Sequence, residues 1–63
     1  MSPDDLALQR KFHYEHGMEL RIQGRFDEAI EELECALNTA SDYVPDEQVE
    51  VEIWKVERRD DSE

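Results

Sequence analysis

The stretch from Gly17 to Ala36, GMELRIQGRFDEAIEELECA, decides the fold. It sets small residues at Gly17, Gly24, Ala29 and Ala36 and interleaves them with Leu20, Phe26, Ile30 and Leu33. Small side chains at these steps let two helix backbones approach closely, and the larger ones fill the flanks, so the spacing predicts an antiparallel helical hairpin. Phe26, Ala29, Ile30, Leu33, Ala36 and Leu37 recur at three and four and make one face of the second helix, while Glu28, Glu31, Glu32 and Glu34 hold much of the rest. Between the helices Gln23 leads into Gly24, which can adopt the left-handed conformation that closes a helix, and Gly24 with Arg25 forms a tight turn.

Working outward, Ser2 is placed to cap the first helix, Pro3 suits its first position, and Asp4 and Asp5 face the positive end of its dipole. The helix is expected over about 3–23. Leu8, Phe12, His16 and Leu20 recur at every fourth residue with Leu6, His13 and Gly17 beside them, so this stripe is expected to face inward. Phe12, Gly17, Leu20, Phe26, Ala29, Leu33 and Ala36 are the expected packing residues of the hairpin, which spans 3–40. Ser41 to Pro45 reads as a loop, because proline pushes Val44 out of helical geometry.

Residues 46–59 admit two readings. Val49, Ile53 and Val56 share a helical face, with Asp46 and Glu47 in the first turn and Arg58 and Arg59 near the negative end. Yet Val49 to Ile53 also alternates as a strand does. A helix is preferred, since a lone strand needs a partner edge that this chain does not supply. Asp60 to Glu63 reads as a disordered tail. The whole, 1–63, is expected to be one small all-α domain: a hairpin plus a C-terminal third helix, with a C-terminal strand as the alternative.

A chain of 63 residues buries only about 60% of the surface its unfolded form exposes. Its single cysteine, Cys35, allows no intrachain disulfide, so self-association, as a homodimer or larger homo-oligomer, is expected to supplement the core. No apolar run approaches the roughly 18 residues of a membrane span, and the first residues lack the basic-then-apolar order of a secretory signal. The expectation is a soluble, cytoplasmic chain.

The formal net charge is −11. Residues 1–26 carry four acids and four bases, and the remainder carries fourteen acids and three bases. Such a field repels nucleic acid and anionic membrane and favours basic proteins as partners. With only two lysines it also suits hydration in concentrated salt.

His13, His16, Gly17, Leu20, Gly24, Phe26, Ala29, Leu33 and Ala36 together resemble one tetratricopeptide repeat, over about residues 10–41, and Gly-Arg-Phe-Asp-Glu-Ala-Ile at 24–30 is the most distinctive part. The histidines stand where the family usually has tryptophan and leucine, Ser41 stands in place of its proline, and no second copy follows. The resemblance implies that the first helix lines a peptide groove, here Lys11, Tyr14, Met18 and Arg21. Repeat arrays usually need about three units, so a single one implies a dimer or docking onto a larger protein. Family members that clamp a C-terminal carboxylate use lysine and asparagine on this helix, which Tyr14 and Met18 do not match. Val51 and Trp54 form a second candidate partner surface on the last helix, opposite Val49 and Ile53.

His13, His16 and Glu19 have a spacing that could ligate a metal, but histidines at a packed crossing are expected as partly buried neutral rings, so neither metal nor cofactor is expected. Cys35 lies among glutamates, which disfavour a reactive thiolate. No phosphate-binding loop or nucleophile motif occurs, so an enzyme is not expected. The expected function is protein binding, as an adaptor, small co-chaperone or assembly factor. The rivals are an acidic mimic of nucleic acid and a structural homo-oligomer of a salt-adapted organism.

Overall fold

A computed structural model describes residues 3–59 and contains, among them, three helices and no strand: α1 (Pro3–Ile22), α2 (Phe26–Asn38) and α3 (Asp46–Glu57). The chain is all-α, and α1 and α2 make a helical hairpin. The expected Ser2 cap and the 60–63 tail lie outside the described residues.

The first turn forms as its residues dictate. The Arg25 amide donates to the Leu20 carbonyl at 2.9 Å and the Gly24 amide to the Arg21 carbonyl at 3.0 Å, with Gly24 at φ +84°. This pair of bonds satisfies carbonyls that the end of α1 would otherwise leave orphaned. Helix α2 stops at Asn38, two residues short of the expected end, because Thr39 turns to extended backbone at φ −89°, ψ 112°. Its hydroxyl donates to the Cys35 carbonyl at 2.9 Å, and its own carbonyl accepts from Arg10 at 2.6 Å.

Residues 46–57 are helical because burial follows the helical period: Val49, Glu52, Ile53 and Val56 face inward while Val51 faces out, which a two-residue repeat would not allow. Pro45, in extended geometry, starts α3 by offering its carbonyl to the amides of Gln48 and Val49. After α3, Arg59 takes φ 53°, a left-handed value unusual for a side-chain-bearing residue. Its guanidinium lies 5.3 Å from the centre of the Phe26 ring, tying the end of α3 to the start of α2.

Helix α2 is the centre of the molecule. Ala29, Leu33 and Ala36 are fully covered, with Leu20 of α1 and Val49, Ile53 and Val56 of α3 completing the core. Helices α1 and α3 each pack on α2 and meet one another at few points. At Gly17 the two helices approach closely: a Cβ there would lie 2.8 Å from Leu33 Cγ and 3.2 Å from the Ala29 carbonyl oxygen.

Candidate interaction surfaces

The face that α1 turns inward runs through Arg10, Tyr14, Gly17 and Arg21, at steps of four, three and four, with Leu20 beside it. Helical geometry requires this once Gly17 marks the crossing. The expected inward stripe of Leu8, Phe12, His16 and Leu20 is therefore corrected. Leu20 is buried, but Leu8 and Phe12 are each 63% exposed and His16 faces largely outward. Phe12 does not pack in the hairpin; its ring lies against the His13 and His16 rings at 5.4 and 5.7 Å. Gly17, Leu20, Ala29, Leu33 and Ala36 are buried at the expected crossing, and Phe26 is half-buried against it.

Two arginines replace the missing apolar stripe. Arg10 is 1% exposed; its guanidinium donates to the Thr39 carbonyl and to Asp46 Oδ1, both at 2.6 Å, while its Nε is buried with no hydrogen-bond partner. One side chain thus joins α1 to the end of α2 and the start of α3. Arg21 meets Glu52 of α3 at 3.4 Å, and the two side chains are 8% and 6% exposed. The second oxygen of Glu52 accepts from Gln48 at 2.9 Å and faces Lys55 at 3.8 Å.

This arrangement divides the groove residues implied by the repeat resemblance. Lys11 is exposed, Met18 is half-buried, Tyr14 packs against the core, and Arg21 is covered by its contact with α3. They do not form one open face, because α3 covers the C-terminal part of the line. Burial raises the Tyr14 phenol above its ordinary range, the Glu52 charge adds to the rise, and a hydrogen bond from Gln48 opposes it. What stays open is a recess between α1, the start of α2 and α3, bordered by Met18, Ile22, Phe26 and Lys55, with Arg21 and Glu52 lining it.

On the other flank of α1, Nδ1 of His13 donates to Glu32 Oε1 at 2.8 Å, and Nδ1 of His16 lies 3.5 Å from the same oxygen. The His13 hydrogen bond holds the Glu32 carboxyl below its ordinary range; partial burial opposes this, and His16 assists. The pair is a clamp between α1 and α2. Glu19, the third residue of the His13 and His16 spacing, faces solvent, and among the described residues no group of histidine, cysteine, aspartate and glutamate is arranged to hold a metal ion. Cys35 is exposed.

Helix α3 carries the second surface. Val51 and Trp54 are exposed on the side away from Val49 and Ile53, and with Glu47 and Glu50 they border a shallow open depression. The Arg58 guanidinium lies 4.7 Å from the Trp54 ring centre. Such cation–π stacking holds a tryptophan at the surface in a defined orientation. Among the described residues, no helix is long and apolar enough to cross a membrane.

Three features were not anticipated: the burial of Arg10, the burial of Glu52, and the exposure of Leu8 with Phe12. The step from Arg10 to Gly17 to Arg21 was the available signal, since residues on the line of a crossing glycine must face the partner helix. Comparison with protein-family models, with curated proteins and with solved structures finds no match to this chain.

Proposed function

We propose that this chain is a small protein-interaction module, an adaptor or assembly factor resembling one tetratricopeptide repeat with a third helix, which docks through the outward face of α3. The observation that carries this reading is that α3 is apolar on two sides. Val49, Ile53 and Val56 are covered by the hairpin, while Val51 and Trp54, the latter 53% exposed, face solvent with no other helix of the described residues packed over them, the Arg58 guanidinium lying against the Trp54 ring. A helix of this kind fits between two others, and the place left open is that of the next helix in a stack. The occupant proposed is an apolar helix of a larger partner protein, for which Trp54 is the anchor.

Quantitative affinity capture from the source cells, followed by binding measurements on the captured partner, tests the reading. Trp54→Ala is expected to weaken that complex about tenfold or more, and the parental complex is expected to persist near 1 M salt, where screening reaches to about 3 Å. A complex indifferent to Trp54→Ala, or dispersed by salt, would contradict it; the second outcome favours an acidic mimic of nucleic acid. A chain that sediments as a homo-oligomer disrupted by Trp54→Ala would make a second copy the occupant.

A further inference from the structure

The first 26 residues are balanced in charge, but the surface that α1 presents to solvent is acidic. Folding produces the difference. Arg10 is turned inward onto Thr39 and Asp46, Arg21 is buried against Glu52, and Arg25 pairs with Glu28 at 2.6 Å. The charged residues of α1 that remain exposed are Asp4, Asp5, Glu15 and Glu19, against Lys11. Along the same outward side Leu8 and Phe12 stand one turn apart, and Phe12, Glu15, His16 and Glu19 wall a recess. Glu15 also accepts a long hydrogen bond from the Tyr43 hydroxyl at 3.4 Å.

We propose that this acid-edged apolar stripe is a second docking surface, separate from the Trp54 face, and that it takes a basic amphipathic helix of a partner protein. Leu8 and Phe12 receive the apolar side chains of that helix. An arginine or lysine lays its alkyl stem on the Phe12 ring and brings its cation between Glu15 and Glu19, combining a cation–π contact with charge-assisted hydrogen bonds. Charge selects this occupant. A second copy would set one acidic stripe of a −11 chain against another, and an anionic membrane or nucleic acid meets the same repulsion.

The test is fluorescence anisotropy of a labelled synthetic helix, leucine on one face and arginine with lysine on the other, titrated with the full chain. Saturable binding is expected. Phe12→Ala should weaken it about tenfold or more. The paired change Glu15→Gln and Glu19→Gln should weaken it and flatten its dependence on salt, and Trp54→Ala should leave it unchanged, which separates this surface from the α3 face. These positions are exposed, so melting curves close to the parent's establish that the variants fold. The proposal is overturned if the peptide does not saturate or binds Phe12→Ala as well as the parent, since attraction is then only to net charge. It is also overturned if a glutamate-substituted peptide binds equally, or if the chain sediments as a dimer that Phe12→Ala dissociates.

Discussion

Replacing Ala29 by leucine is expected to destabilise the chain by more than about 3 kcal/mol. Ala29 is fully buried, and its carbonyl oxygen lies only 3.2 Å from where a Cβ on Gly17 would stand, so the residue sits at the close crossing of α1 and α2. A side chain can rotate away from an intruding group, but a helix backbone moves only as a whole. Overpacking commonly costs about 1–3 kcal/mol where side chains can yield, and more where they cannot. A domain of this length has a total stability on the order of 3–9 kcal/mol, so a loss of more than about 3 kcal/mol takes at least a third of it. Far-UV circular dichroism with urea titration measures the outcome directly. Gly17→Ala tests the same contact from the other side. It gains about 1 kcal/mol of helix propensity but puts a methyl 2.8 Å from Leu33 Cγ and 3.1 Å from Leu33 Cδ2, so a net loss of about 1–2 kcal/mol is expected. Variants at both positions with parental urea midpoints would mean that the helices cross elsewhere.

The second large effect is expected at Glu52. Glu52→Ala removes the carboxylate that Arg21 meets beneath α3, and breaking a buried ion pair by removing one partner typically costs about 3–5 kcal/mol. It also leaves Gln48 without its acceptor on that side chain. The informative control is the double change Arg21→Met with Glu52→Met, which takes away both charges and keeps apolar volume. Buried ion pairs replaced in this way are often neutral or stabilising, because the desolvation of both charges is avoided. The expected result is therefore a severely destabilised single variant and a double variant near the parent. If the single variant melts like the parent, Arg21 is reached by water and the packing of α3 over α1 is looser than described.

The two largest effects fall on residues of unequal legibility. The hairpin could be read because its signals are local: small residues at the crossing, a glycine in the turn, and proline before α3. The third helix could be preferred over a strand for a similar reason, since Val49, Ile53 and Val56 mark one face. The orientation of α1 could not be read from hydropathy. Its inward line holds Arg10 and Arg21, and the groups that make their burial tolerable, Thr39, Asp46 and Glu52, lie 29, 36 and 31 residues further along. A pattern that scores apolar residues as interior follows Leu8 and Phe12 instead and turns the helix the wrong way. The same error conceals the acidic outer stripe, because the balanced count of charges in residues 1–26 assumes that all of them reach solvent. Val51 and Trp54, by contrast, lie where the spacing put them, opposite the buried residues of their own helix.

Everything said of the surfaces depends on which side of α1 faces the core, and the most direct measurement is a pair of thermal midpoints. Leu20→Ala removes a buried side chain and is expected to cost about 2–5 kcal/mol, or roughly 10 °C or more in a domain of this size. Phe12→Ala removes a larger but exposed one and is expected to stay within about 0.5 kcal/mol, which is no more than about 4 °C. A Phe12→Ala variant that melts as low as Leu20→Ala would contradict the account, since Phe12 would then belong to the core and α1 would have no apolar side left to offer.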